Sequence, residues 1–298
     1  MDQSLIAGID IGGSHITVGM VNPRLRRLVS DSVVRRMVDS GGDAESIIHS
    51  WCEAIRAGCL LGNNRPAMIG IAMPGPFDYG RGIAWMKQQQ KFDALYGQDV
   101  KQALSRELGF PASKIIFNND AACFLKGEIY HGAGVGFDNI FGLTLGTGLG
   151  SSLHLNDITS DASLWNSPFR NGIAEDYLSS RWFISRYKEV SGKVVVNVKQ
   201  LLDLLQNGQA PHAAQVFAEF GKTLAEFILP ILEQDSIELV VVGGNISNAF
   251  DLFFPSLQKN LQTYSGVSII KSSLGEHAAL VGAAGYCTGK EFVPHPHR

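Results

Sequence analysis

Residues 5–21 read LIAGIDIGGSHITVGMV, an apolar run that the segment DIGGS interrupts before β-branched residues resume. Enrichment in β-branched residues on both sides predicts a strand at residues 5–9 and another at residues 16–21. Gly12 and Gly13 are expected to supply the positive φ angles that a tight turn between antiparallel strands needs. The chain is therefore expected to open with a glycine hairpin.

This hairpin can also bind phosphate. A turn without Cβ atoms, formed by Gly12, Gly13 and the following Ser14, exposes backbone N–H groups that can line an anion site. Asp10, at the end of the first strand, can hold a hydrated Mg²⁺ against the same phosphates. An ordinary hairpin would explain the same glycines, so this motif alone leaves both interpretations open.

Length and composition restrict the class of protein. A chain of 298 residues favours two domains over one core. The net charge of −3, the pI near 6.2 and the lack of a basic run argue against a nucleic-acid partner. No apolar stretch reaches the length of a membrane span and no export segment precedes the hairpin, so we expect a cytoplasmic protein without a membrane partner.

The cysteines and histidines offer no zinc site. The four cysteines are scattered without C-x-x-C spacing, and we expect them to be reduced core or helix residues. His295 and His297 lie in a proline-bounded tail, where a solvated end is expected rather than a metal ligand.

The predicted elements repeat one pattern in two halves of the chain. In each half a glycine turn joins two strands, and further strands alternate with helices. The additional strands are predicted at residues 28–38, 68–73, 114–117, 139–145, 151–155, 237–242 and 267–270. Helices are predicted from residue 43 and at residues 100–108, 120–131, 174–190, 198–206, 211–234, 246–262 and 275–287. This repetition indicates a duplicated α/β fold with domains at 1–132 and 133–298, the alternative being that the closing helix packs back on the first domain.

Two further motifs carry chemistry. The second glycine turn, LTLGTGLG, exposes N–H groups around Gly146 and Gly148 and adds the hydroxyl of Thr147 as a donor to phosphate. Asn119 and Asp120 follow a buried strand and begin a helix, where a carboxylate is favoured by the exposed N–H groups. They are either an N-cap pair or a catalytic pair, in which Asp120 accepts the proton of an attacking hydroxyl and Asn119 orients the hydroxyls.

In their order along the chain, DIGGS, GIAMPGP, NNDAA, LTLGTGLG and VVGGNIS followed by HAALVGAAG resemble the ROK family of sugar kinases. The resemblance runs nearly end to end and implies the two-domain actin-like ATPase (ribonuclease H-like) α/β fold with a central cleft. It also implies ATP and Mg²⁺ as cofactors, a sugar substrate and Asp120 as the catalytic base. The residues that it assigns to the sugar are Asn119 and Gly75. Those that it assigns to the nucleotide are Asp10, Gly12, Gly13, Ser14, Gly146, Thr147, Gly148, Gly243, Gly244 and Asn245.

Sugar contacts outside these motifs are less well defined. Glu175 resembles the glutamate that binds the sugar ring in the family, although an acidic residue in a first helical turn also serves the helix dipole and Asp176 is its neighbour. The family's G-E-x-G-H segment and its cysteine-rich zinc loop are missing between residues 155 and 172. Asp161 or Asn166 could replace the lost contacts with Trp165 as an apolar platform, unless this segment is a surface loop.

The segment AWMKQQQKFDALYG, residues 84–97, is a second place for selectivity. Lys87 and Gln88 are its candidate sugar contacts, although consecutive glutamines are more often plain surface. The sequence thus predicts a hexose kinase that acts on glucose or a related sugar at the 6-hydroxyl, without zinc and with a homodimer as the family's suggested assembly. The alternatives are a weakly catalytic sugar sensor and a ROK transcriptional regulator, the latter disfavoured because the hairpin begins at residue 5 and no helix-turn-helix domain precedes it.

Overall fold

The computed structural model describes residues 5–61, 65–88, 91–210, 212–262, 264 and 266–289. His295 and His297 lie outside these residues. Contacts divide the chain into two compact units, one reaching Val135 and resuming at Glu276, the other spanning Gly136–Gly275.

The first unit is built on a six-stranded sheet. The strands of this unit, in chain order, are β1 (Ile6–Ile11), β2 (His15–Asn22), β3 (Arg27–Leu28), β4 (Val34–Met37), β5 (Met68–Met73), β6 (Phe77–Asp78), β7 (Ile83–Ala84) and β8 (Ile115–Asn119). Of these, β6 and β7 form a separate two-stranded sheet, and the other six form the main sheet. Its helices before the second unit are α1 (Ala44–Leu61), α2 (Val100–Leu108) and α3 (Asp120–His131). The sheet order is β3-β2-β1-β5-β8, and β4 also pairs with β2. β1 is antiparallel to β2 and parallel to β5, which is parallel to β8.

The second unit repeats this arrangement with the order β11-β10-β9-β14-β15. Its strands are β9 (Ile140–Leu145), β10 (Leu149–Leu155), β11 (Ile158–Asp161), the pair β12 (Pro168–Phe169) and β13 (Gly172–Ile173), β14 (Leu239–Gly243) and β15 (Ser268–Lys271). Its helices are α4 (Ala174–Tyr177), α5 (Ser180–Ser191), α6 (Val198–Gln206), α7 (Ala213–Asp235) and α8 (Phe250–Asn260). In its core Phe220 packs against Phe183 and Phe253 at ring distances of 4.6 and 5.3 Å.

The closing helix α9 (Ala278–Tyr286) belongs to the first unit, in keeping with the alternative left open in the sequence analysis. It packs on α3 and on β1 so closely that side chains do not fit between the backbones. A Cβ on Gly282 would overlap the carbonyl oxygen of Cys123, and a Cβ on Gly127 would overlap that of Ala278. Glycines in both helices therefore allow α9 to pack directly against the backbone of α3.

Four predicted elements differ from the structure. The strand predicted at residues 28–38 is two short strands, β3 and β4, because Asp31 takes a left-handed φ of 59° and the hydroxyl of Ser32 donates to the carbonyl of Val29 at 2.7 Å. The helix predicted at 174–190 breaks between α4 and α5. The helix predicted at 246–262 begins as a 3-10 turn, Asn245–Ala249, and the helix predicted at 275–287 begins as another, Gly275–His277.

None of the helices in the described part of the chain has both the length and the apolar character that crossing a membrane requires.

Candidate functional site

The carboxyl ends of β1, β5 and β8 meet at one edge of the first sheet, because these strands run parallel. The register places Asp10 opposite Ala72 of β5, and Met73 opposite Asn119 of β8. Asp10 and Asn119 lie at the carboxyl ends of β1 and β8, Asp120 begins α3, and Gly75 lies in the loop after β5. Ligands of open α/β sheets commonly bind at this edge. The fold thus brings together residues that are more than a hundred positions apart.

Asn119 and Asp120 begin α3 in the manner of an N-cap. The side-chain oxygen of Asn119 accepts a hydrogen bond from the N–H of Ala122 at 3.1 Å, and Oδ1 of Asp120 accepts one from the N–H of Ala121 at 3.0 Å. Burial raises the pKa of Asp120, while the N–H of Ala121 and the charge of Lys91 act in the opposite direction. The capping interpretation therefore holds for Asn119, and it coexists with a carboxylate whose proton affinity is increased toward that of a general base.

Tyr79 holds the amide of Asn119 and was not singled out in the sequence. The amide nitrogen of Asn119 donates to the Tyr79 hydroxyl at 3.3 Å, and that hydroxyl donates to the carbonyl of Met73 at 3.1 Å. A Cβ on Gly75 would lie 3.3 Å from the same hydroxyl. The amide is therefore oriented from both of its ends, and Gly75 gives the tyrosine room.

Asp10 is the second carboxylate at this edge. Burial raises its pKa from 3.8 to about 7. The negative charges of Asp120 and Glu276 also raise this pKa, and the positive charge of Arg35 lowers it. Arg35 lies across β2 from Asp10, since Thr17 pairs with both residues, and it forms an ion pair with Glu276 at 2.9 Å. Among the described residues nothing donates a hydrogen bond to the carboxylate of Asp10.

This environment fits a divalent cation. Magnesium is commonly held by one or two carboxylates together with waters and substrate phosphates, and a cation would relieve the repulsion between Asp10 and Asp120. No group of three or more His, Cys, Asp or Glu side chains that could hold a metal occurs within the described ranges. Asp10 is thus suited to a largely hydrated ion. Cys52, Cys59, Cys123 and Cys287 are free thiols.

The turn after β1 differs from its prediction in one respect. Neither Gly12 nor Gly13 has a positive φ, so the expectation of left-handed glycines is wrong. The turn closes instead through the N–H of Gly12, which donates to the carbonyl of His15 at 2.8 Å. The N–H groups of Gly13 and Ser14 have no acceptor among the described residues, and the Ser14 hydroxyl lies 2.8 Å from Nδ1 of His15. Two of the three predicted donors thus remain available to an anion.

Two glycine turns lie side by side at the matching edge of the second sheet, because Gly243 pairs with Thr144 in parallel strands. Gly244 has a φ of 77°, and a Cβ there would overlap the carbonyl oxygen of Leu145. In the first turn Gly146 donates to the carbonyl of Gly148 at 3.0 Å, and a Cβ on Gly146 would contact no described atom within 4 Å.

The polar residues of these turns face solvent. Thr147 and Asn245 are both exposed. The predicted nucleotide residues of the second unit are therefore grouped and accessible.

Glu175 supports the first of these turns. Its Oε2 accepts a hydrogen bond from the N–H of Leu149 at 3.0 Å, and its Oε1 pairs with Arg181 at 2.8 Å. Asp176 caps its helix by accepting from the N–H of Ile173 at 3.1 Å. Both oxygens of Glu175 thus have protein partners, and its sugar contact stays a prediction.

The remaining predicted sugar residues are on exposed segments. Asp161 ends β11 and accepts from the N–H of Ser163 at 2.8 Å, while Asn166 and Trp165 lie on an exposed 3-10 turn. Lys87 places its ammonium 5.0 Å from the ring centre of Tyr96. The observed contacts assign no ligand to Asp161, Asn166 or Lys87, so their sugar contacts stay predictions.

Lys91 was also missed by sequence reasoning, which chose Lys87 from the same segment. Its Cδ lies 3.4 Å from the position that a Cβ on Gly13 would take, and its charge acts on Asp120. A lysine in a polar segment carries no sequence signal of this placement, which depends on a contact between residues 13 and 91.

Comparisons with known proteins agree with the motifs. The sequence profile of the ROK family matches residues 6–161 and 170–289, and the gap between them falls where the G-E-x-G-H segment is missing. The chain is 26% identical to a glucokinase of Thermotoga maritima, with 95% of this chain and 97% of that protein covered. It is 24% identical to an N-acetyl-D-glucosamine kinase of Photobacterium profundum, with 93% and 97% covered.

A solved structure agrees as well. A ROK family glucokinase from Streptomyces griseus in complex with glucose and AMPPNP is similar with a TM-score of 0.77 at 22% identity, covering 95% of this chain and 98% of that one. This likeness confirms the predicted two-domain actin-like ATPase fold. Since the family profile spans most of the sequence, including every motif that carried the resemblance, the chain belongs to the ROK family.

Proposed function

We propose that this protein is a sugar kinase that transfers the γ-phosphoryl group of ATP to a hexose, glucose or a related sugar, at its 6-hydroxyl. The observation that carries the proposal is the pair of partly buried carboxylates, Asp10 and Asp120, at the edge of the first sheet, both with raised pKa values. The kinase names of the relatives support the same class of reaction.

Asp120 is the proposed general base. It accepts the proton of the sugar hydroxyl as that oxygen forms a bond to the γ-phosphorus, the bond to the bridging oxygen breaks and ADP leaves. A raised pKa suits this role, because a base is most effective when its pKa lies near the working pH. Asn119, whose amide is fixed by Ala122 and Tyr79, is proposed to orient the sugar hydroxyls.

Asp10 is proposed to hold the magnesium that accompanies ATP, through water. The ion would supply charge neutralisation at the phosphates. The N–H groups of Gly13 and Ser14 are proposed as phosphate donors in the first unit, and the turns around Gly146 and Gly244 as nucleotide contacts in the second. The free N–H groups of Gly13 and Ser14 suit this purpose because they can bind an anion without a conformational change.

The sugar is the least constrained part of the proposal. Curated relatives include both a glucokinase and an N-acetyl-D-glucosamine kinase, so the two sugars are the first candidates. The interruption of the family profile at residues 162–169 coincides with the segment that holds Trp165 and Asn166. We propose that this segment sets the preference between sugars.

A substrate panel tests the proposal. Purified protein with ATP and Mg²⁺ should release ADP only when one of a set of hexoses and N-acetylhexosamines is present, and the product should be the 6-phosphate by mass and NMR spectroscopy. If calorimetry detects sugar binding and no sugar stimulates ADP release, the protein is a sugar sensor and the kinase proposal is wrong.

The role of Asp120 has its own test. Asp120→Asn keeps the shape of the side chain but cannot accept the proton, so kcat should fall by about 10²–10⁴-fold while the Kd of the sugar changes little. Asp203→Asn, an exposed change on α6, is the matched control and should leave kcat unchanged. An equal loss of sugar binding in Asp120→Asn would show that the residue is structural.

A further inference from the structure

Lys91 lies against the glycine turn that follows β1. Its aliphatic stem packs over Gly13, with Cδ 3.4 Å and Cβ 4.0 Å from the position of a Cβ on that glycine. A Cβ at position 13 would meet the lysine stem at ordinary van der Waals distance. The stem of Lys91 therefore lies directly beside the glycine turn.

The residue after Lys91 is firmly anchored. The N–H of Phe92 donates to the carbonyl of Ser40 at 2.7 Å, and the Phe92 ring is fully buried and packs edge-on against Trp51 at 5.2 Å. Phe92 also has a left-handed φ of 58°. A backbone fixed in this way directs the stem of Lys91 toward the turn.

The charge of Lys91 forms no ion pair in the part of the chain that the structure describes. Within the described ranges no carboxylate lies within 4 Å of its ammonium group, whereas Arg35, whose charge acts on Asp10, is paired with Glu276. The charge of Lys91 nevertheless reaches Asp120, whose pKa it lowers. Lys91 is thus a cation beside the proposed base, next to the free N–H groups of Gly13 and Ser14.

Phosphoryl transfer at a site that contains two carboxylates requires cations, because the transferred group is itself anionic. We propose that the ammonium group of Lys91 binds the γ-phosphoryl group of ATP and stabilises its charge during transfer, a role that rests on the proposed kinase function. Lys87 is not equivalent, since its ammonium lies over the Tyr96 ring on the exposed side of the same segment.

The experiment compares nucleotides that differ by one phosphate. Calorimetry with Mg²⁺ should show that Lys91→Met weakens ATP binding about tenfold or more and leaves ADP binding nearly unchanged, because only ATP carries the contacted group. In steady-state assays kcat should fall by about 10²–10³-fold, the usual effect of removing one donor to a developing charge. Lys91→Arg should recover part of both losses, since it keeps the positive charge.

The matched control is Lys114→Met, which removes a lysine at the opposite end of β8 from Asp120, about 20 Å away along the strand. It should change neither the binding of ATP nor kcat. Equal weakening of ATP and ADP binding in Lys91→Met, or an unchanged kcat, would overturn the proposal.

The two proposals fail in distinguishable ways. If the wild-type protein phosphorylates no sugar, the kinase proposal is wrong, but the comparison of ATP with ADP still tests Lys91. If the wild-type protein is active and Lys91→Met behaves like the control, only the role of Lys91 is wrong.

Discussion

Replacing Asp10 with asparagine should make the magnesium-free protein more stable above neutral pH. The carboxylate of Asp10 is partly buried, lies near Asp120 and accepts no hydrogen bond from the described residues, and its pKa is raised from 3.8 to about 7. A raised folded-state pKa means that folding favours the protonated form. The corresponding stability is therefore fully present below about pH 4 and is lost as the pH rises to about 7.

The size of the effect follows from the shift. At 1.36 kcal/mol per pKa unit, the ionised carboxylate lowers the free energy of unfolding by at most about 4 kcal/mol. The asparagine amide still has to be desolvated, so a net gain of about 1–3 kcal/mol is expected. Each kcal/mol corresponds to about 2–4 °C in the unfolding midpoint of a unit of this size.

The assay is thermal unfolding with EDTA from about pH 4 to pH 8, on the wild type, Asp10→Asn and a control. Asp43→Asn is a suitable control because hydrogen bonds from Ser46 lower the pKa of Asp43. Its substitution should therefore not increase the free energy of unfolding at high pH. Added Mg²⁺ should stabilise the wild type and not Asp10→Asn. If Asp10→Asn is no more stable than the wild type at pH 8, the carboxylate is not destabilised and the electrostatic argument for a cation at this edge is lost.

Three further predictions concern packing, titration and the second unit. Gly282→Ala should lower the free energy of unfolding by about 1–3 kcal/mol in urea titrations, and an unchanged value would mean that the helices separate easily. Lys91→Met should move the acidic limb of the kcat/KM profile to higher pH, because the pKa of Asp120 rises when the neighbouring charge is lost; a shift to lower pH would contradict this assignment. Glu175→Ala should raise the KM for ATP, because the N–H of Leu149 loses its acceptor, whereas a rise confined to the KM for the sugar would indicate the ring contact predicted from the family.

Local sequence patterns were sufficient for the main elements of the fold. The apolar runs that became β1, β5, β9 and β14 are short, rich in β-branched residues and bounded by glycine or proline, which is why their positions could be predicted. Polar residues that come where such a run ends, such as Asn119 and Asp120, lie at the sheet edge because the strand ends there. The prediction of a strand at 28–38 failed because the hydroxyl of Ser32 bonds within its own turn and receives the N–H of Met20 at 3.1 Å.

Contacts between distant segments account for what the sequence did not reveal about the site. Tyr79 holds Asn119 across 40 positions, and Lys91 reaches the turn at Gly13 from a segment that is otherwise polar surface. Neither contact leaves a periodicity or a motif. The same limit applies to the glycines of the first turn, whose spacing predicts a reversal but not which dihedral angles it uses.

The two sheets share a topology but differ in chemistry at one matching position. Asp10 is the fifth residue of β1 and lies opposite Ala72 of the parallel strand, and Thr144 is the fifth residue of β9 and lies opposite Gly243. A glycine turn follows in both cases, so the turn can contact phosphate in either unit. Only the first unit has a carboxylate before that turn and a second one at the start of the helix after its last parallel strand. The sheet edge and its glycines are therefore suited to anion binding in both halves, whereas the proton transfer and the magnesium site proposed here depend on Asp10 and Asp120 of the first unit.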